Sequence, residues 1–147
     1  ARNNLAGATS GTQTASLAFG GFVPPHTAKT ESYNGTNWTE VNDMNTARNN
    51  AGGAGTQTSA LTFGGGSPDY DSTELWNGTN WTEVNDLNTA RNGLGGTGAD
   101  NTAALAFGGE SSGTAAHADT ELWNGTNWTE VNNLNTGRDG IASGVGV

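Results

Sequence analysis

Four of the five basic residues in this chain are arginines set in phase: Arg2, Arg48, Arg91 and Arg138, spaced 46, 43 and 47 residues apart. A ring of guanidiniums would fork onto an anionic ligand. Residues locked to a repeat ordinarily serve the repeat, however. Acids stand in the same phase at Glu31, Glu74 and Glu121. The expected role of each arginine is therefore to hold a repeat junction by pairing with such a carboxylate or with backbone carbonyls. The tryptophans Trp38, Trp81 and Trp128 keep the same phase. Their indoles suit stacking on sugars, but strict periodicity points to packing between repeats, where each aromatic buries ~150–250 Å².

The remaining candidates are not phase-locked. His26 and His117 occupy unmatched positions, a weak pattern for a metal. Asp69 and Asp71 flank Tyr70 and offer the oxygen ligands calcium takes, but the spaced acids and closing Glu of an EF-hand loop are absent. Gly64-Gly65-Gly66 does not lead into a helix with Lys-Ser/Thr, so a phosphate-cradling loop is excluded in its familiar form. Six sequons start at Asn34, Asn37, Asn77, Asn80, Asn124 and Asn127. They are glycan acceptors if the chain is secreted by a eukaryote; otherwise Asn-Gly serves a turn and Asn-Trp-Thr a strand. No nucleophile–base pair or clustered ligand set is recognisable, so the sequence predicts no catalytic residue, no metal, no cofactor and no enzyme.

Composition narrows the partners. The chain has 147 residues, fourteen acids against five bases and a net charge of −9. Nucleic acid is not an expected partner, because phosphate contacts need clustered Lys and Arg. No apolar run approaches the ~18 residues of a membrane span, so membrane insertion is not expected. With no cysteine there is no disulfide and no thiolate site. Twenty-four glycines and only 32% apolar residues suit short strands and many turns better than packed helices. The opening Ala1, in mid-pattern, suggests a processed product or a piece of something longer.

The elements that must position these residues are set by a repeat. Asn34-Gly35-Thr36-Asn37-Trp38-Thr39-Glu40-Val41-Asn42 recurs letter for letter at 77–85 and 124–132. Asn-Gly between strand-forming residues predicts a type I′ hairpin. Three full repeats follow, 1–46, 47–89 and 90–136, with the start of an incomplete fourth at 137–147. Each divides into four short β segments: a Gly/Ala-rich strand after the arginine, an alternating strand ending in paired glycine, and the two hairpin strands. Runs of glycine in the first segment suggest close backbone approach. The repeats differ most at 22–29, 66–72 and 110–119. Antiparallel order places those variable segments on the face that carries the repeat-to-repeat connections.

An arginine before a glycine-rich strand, the glycine pairs Gly20-Gly21, Gly64-Gly65 and Gly108-Gly109, the aromatics Tyr33, Trp76 and Trp123, and a tryptophan a few residues later resemble the kelch motif. The near-identical Asn/Thr/Gly-rich copies are similar to kelch-like repeats of marine phages and bacteria. The resemblance covers nearly the whole chain. It implies an all-β fold, a β-propeller in which each repeat is one four-stranded antiparallel blade. Kelch-like copper-radical oxidases need a cysteine cross-linked to tyrosine, which this chain lacks. Sialidase-type Asp boxes fail as well. Propellers close with four to eight blades, so three blades are expected to be completed by a second copy, as a six-bladed homodimer, or by a longer parent chain. The expected function is a non-enzymatic binding or interaction module, extracellular, on a cell surface or on a virion. It would recognise a surface glycan or a protein through Phe22, Pro24, Pro25, His26, Asp69, Tyr70, Asp71 and His117. The alternative is a structural subunit of an appendage, fibre or filament.

Overall fold

The computed structural model describes residues 1–66, 68–111 and 115–141. Among them the regular elements are twelve strands, and there is no helix. The strands are β1 (Ala6–Gly7), β2 (Ser16–Phe19), β3 (Thr30–Tyr33), β4 (Trp38–Val41), β5 (Gly52–Thr56), β6 (Ser59–Phe63), β7 (Thr73–Trp76), β8 (Trp81–Val84), β9 (Gly95–Asp100), β10 (Ala103–Phe107), β11 (Thr120–Trp123) and β12 (Trp128–Val131). They form three antiparallel four-stranded meanders, β1–β4, β5–β8 and β9–β12. This is a propeller-like blade architecture, and we call the sheets blades 1, 2 and 3.

The hairpin register is the same in all three copies, with Tyr33 opposite Trp38, Trp76 opposite Trp81 and Trp123 opposite Trp128. The turn differs from the type I′ expectation, which requires positive φ at both Asn and Gly. Only the glycine is left-handed, at φ +92° in Gly35, Gly78 and Gly125. The asparagine instead turns its side chain inward: Asn34 Oδ1 accepts the backbone N–H groups of Thr36 and Asn37 at 3.0 and 2.9 Å. Asn77 and Asn124 repeat the arrangement. Asparagine is thus selected here for a local acceptor, the Asx-turn role.

The glycine-rich first strands pack side by side, β5 between β1 and β9. A Cβ on Gly53 would lie 2.4 Å from the Gly7 carbonyl oxygen, and one on Gly96 would lie 2.4 Å from the Gly53 carbonyl oxygen. Glycine is there because backbone meets backbone. Two apolar clusters fill the spaces between blades. One joins Leu17, Phe19 and Met44 of the first repeat to Ala60, Trp76 and Trp81 of the second. The other joins Leu61, Phe63 and Leu87 to Ala104, Trp123 and Trp128. Blade 2 therefore buries both faces against its neighbours, and blades 1 and 3 bury one face each.

Candidate functional site: a loop face clamped by arginines

Every blade hangs a variable loop between its second and third strands, and the phased arginine holds the two stems of that loop together. The Arg48 guanidinium donates to the carbonyls of Gly64 and Ser72 at 3.1 and 2.7 Å, which are the two loop ends. It also donates to Ser72 Oγ and Glu74 Oε1 at 3.0 and 2.9 Å. Arg91 does the same for the carbonyls of Gly108 and Asp119, at 2.9 and 2.7 Å, and pairs with Glu121 at 2.8 Å. Arg2 takes the carbonyls of Gly20 and Lys29 and pairs with Glu31. Burial pushes the Arg48 guanidinium below its ordinary pKa, and the adjacent Glu74 carboxylate opposes that shift. Arg138, the fourth in phase, is exposed, and among the described residues its guanidinium reaches only the Thr136 carbonyl, at 3.5 Å.

The acid in each pair does a second task. Glu74 also accepts from the Asn45 and Thr46 backbone N–H groups, at 2.7 and 3.0 Å, and from Asn45 Nδ2. Glu121 accepts the backbone and side-chain N–H groups of Asn88, both at 2.8 Å. One buried carboxylate thus ties the incoming connection, the arginine and the loop stem into one unit. The paired glycines complete the stem. Gly64 and Gly65 have φ of +65° and +85°, and a Cβ on either would lie within 2.6 Å of a backbone oxygen of a connection, Arg91 or Asn49.

The tryptophans are committed to packing. Trp81 meets Phe19 edge-on at 5.0 Å, and its indole N–H donates to Thr30 Oγ1 at 3.0 Å. Trp128 meets Phe63 at 4.9 Å and donates to Thr73 Oγ1 at 3.0 Å. No blade among the described residues covers Trp38, which lies against Tyr33 and is 50% exposed. The sequon asparagines Asn34, Asn77 and Asn124 are turn acceptors, as described. Asn80 and Asn127 accept Asn42 Nδ2 and Asn85 Nδ2, at 2.9 and 2.7 Å, from the blade before; Asn37 is exposed.

The loops lie against the connections, as their bonds show. Met44 N–H donates to the Ala28 carbonyl, and Arg91 N–H donates to the Tyr70 carbonyl. Within this face the candidate residues form one set per blade. Phe22 and His26 bridge each other, rings 5.4 Å apart, beside exposed Pro24 and Pro25; His26 Nδ1 is buried without a partner. Tyr70 lies under the Arg48 guanidinium at 5.8 Å, Asp69 accepts Asn92 Nδ2 at 2.7 Å, and Asp71 is exposed. His117 pairs with Asp119 at 2.8 Å and lies 3.0 Å from Ser111 Oγ. Among the described residues no group of three His, Asp or Glu is placed to hold a metal ion.

The Ser111–His117–Asp119 chain was not legible in the sequence. It has the order of a nucleophile, a base and an orienting acid. The Ser111 hydroxyl, however, has one proton and a shorter acceptor in the Ala90 carbonyl, at 2.8 Å. A nucleophile needs that proton on the base. Here the chain anchors the third loop to the connection.

A cleft of about 510 Å³ opens where the first strands and connections of successive repeats converge. It is lined by Asn4, Asn50, Gly93 and Gly140, which hold one phase of the repeat, and by flanking residues including Leu5, Ala51, Leu94 and Ile141. Asn4 and Asn50 have φ of 52° and Gly93 and Gly140 of 62° and 60°, a left-handed bend repeated at each blade. The chain matches no protein-family model and no curated protein.

Proposed function

We propose that this chain is a kelch-like propeller segment working as a non-enzymatic binding module, with its variable loops as the recognition face. One observation carries the reading. The repeats are near-identical in strands, hairpins and clamps, and their differences gather in loops whose stems the arginines hold fixed. A rigid scaffold presenting divergent loops on one face is how binding surfaces are ordinarily built. Such a face suits a surface glycan or a protein, met at several loops at once so that weak contacts add. The setting that goes with recognition of such a surface ligand is extracellular, on a cell surface or on a virion.

Phe22 and Asp71 are the cleanest probes, because both side chains are exposed and neither belongs to a clamp. On a glycan array, the wild-type chain is expected to give discrete hits that Phe22→Ala or Asp71→Ala removes, with circular dichroism unchanged. Hits that survive both substitutions, or an empty array together with no captured surface protein, would overturn this reading. A second reading, a structural subunit of an appendage or filament, is favoured by the apolar residues left uncovered on the outer face of blade 1. Ligand-independent polymers in negative stain would support it.

A further inference from the structure

We propose that the outer face of blade 3 takes the outer face of blade 1 of a second copy, head to tail, so that two chains close one six-bladed ring. Both junctions inside the chain are built from one set of contacts. The earlier blade supplies a phenylalanine and a threonine: Phe19 and Thr30 at the first junction, Phe63 and Thr73 at the second. The later blade supplies the tryptophan that meets both, and a buried glutamate that receives the connection.

The third set is present but divided between the two ends. Blade 3 carries Phe107, which stays half-buried where Phe19 and Phe63 are fully buried. It also carries Thr120, whose Oγ1 is buried with no hydrogen-bond partner among the described residues. Its outgoing connection presents Asn135 and Thr136, both exposed. Blade 1 carries the matching halves: Trp38, 50% exposed with no hydrogen bond on its indole, and Glu31, whose side chain is 39% exposed. A buried hydroxyl without a partner is a cost that native structures rarely leave standing. The indole N–H that satisfies its equivalents stands uncovered at the other end of the same chain.

The chain's own continuation fits this socket less well than a second copy does. Residues 137–141 already enter it: Gly109 N–H donates to the Arg138 carbonyl, and Ile141 N–H donates to the Gly93 carbonyl. Arg2 to Leu5 of a second copy hold the same phase and can take over those bonds one for one. One residue then separates the candidates. The position packed against Gly96 must lack a Cβ, as Gly53 and Gly96 do against their own predecessors. The continuation has Ser143 in that phase, and the second copy has Gly7. Copies of three blades make rings of six or nine, and only six falls within the four to eight that propellers use. A head-to-tail contact either closes in this way or propagates without end.

Sedimentation velocity of the full chain over a concentration series, with acrylamide quenching of tryptophan emission, tests the proposal. The expected mass at high concentration is about twice 14.9 kDa. Of the five tryptophans only Trp38 is exposed in a single copy, so the quenchable fraction should fall from one indole in five towards none as copies associate. Trp38→Ala should hold the chain at the single-copy mass, with the melting curve of dilute wild type, since the indole supports little of its own blade. Thr120→Val should weaken association roughly 25-fold to 100-fold, the loss of one buried hydrogen bond at each of the two junctions in the ring. A wild-type mass of 14.9 kDa at every concentration would overturn the proposal and leave repeats outside residues 1–147 as the cover. So would a dimer that survives Trp38→Ala, or an open ladder of masses.

Discussion

Blade 2 and blade 1 contain the same nine-residue hairpin and the same strand registers, yet they are held to very different degrees. In blade 2 the Arg48–Glu74 pair is fully buried, and Trp76 and Trp81 are closed off from water. In blade 1 the equivalent Arg2–Glu31 pair leaves the glutamate 39% exposed, and Trp38 is half in solvent. The residues are the same types in the same phase; what differs is the blade before them. Blade 2 receives Phe19, Thr30, Asn45 and Thr46 from blade 1, and nothing equivalent reaches blade 1 from the described residues. Stability in such a fold is close to a sum of blade and junction terms, so a substitution should be read by its junction before its chemistry.

The largest test of that contrast is the acid. Glu74→Ala strips a buried guanidinium of its charge partner and three donors of their acceptor, and it should cost about 3–5 kcal/mol. Glu31→Ala breaks the same pair where water can replace the carboxylate, and it should cost about 1 kcal/mol or less. Urea midpoints at low micromolar concentration measure both. Equal losses would mean that the pair, and not the junction, sets the energy.

Backbone approach gives the next test. Gly53→Ala forces a Cβ to within 2.4 Å of a backbone oxygen that no rotamer change can move aside. It should cost about 3 kcal/mol, the upper end of overpacking. In dilute solution, where single copies prevail, Gly7→Ala, the same phase in blade 1, meets only the Leu17 carbonyl oxygen at 3.3 Å and should shift stability by roughly 1 kcal/mol or less in either direction. If the two substitutions behave alike, β1 and β5 are not packed as described.

How much of this could be read from the chain depends on which partner is a side chain. The period, the four segments, the hairpins and the arginine–glutamate pairing were legible, because both members of each feature recur in phase. The glycines of the first strand were legible as close approach, because nothing else explains such a run. The clamp on the loop stems was not. The acceptors of Arg48 and Arg91 there are backbone carbonyls, which leave no mark on residue identity. The turn type was misread for a similar reason: Asn-Gly satisfies a type I′ turn and an Asx acceptor equally well, and only φ separates them. The Ser111–His117–Asp119 chain belongs to one loop and has no echo in the other repeats. Without recurrence, one serine among many carried no signal.

The finest contrast lies between two threonines in one phase. Thr73 Oγ1 accepts the Trp128 indole N–H, and both atoms are shut away from water. Thr73→Val keeps the shape and removes the acceptor, leaving a buried donor unsatisfied at a cost of ~1–2 kcal/mol. Thr120 occupies the same place in blade 3, but its hydroxyl has no partner among the described residues. Replacing that hydroxyl with a methyl removes a desolvated polar group and surrenders no bond. In dilute solution, where single copies prevail, Thr120→Val should therefore leave the urea midpoint unchanged or raise it slightly. Raising protein concentration should reverse the order, because the hydroxyl then has an indole to accept and the valine has none. A Thr120→Val chain that is less stable than wild type even when dilute would mean the hydroxyl is already satisfied within one copy, and the two ends of the arc would lose their clearest mark of complementarity.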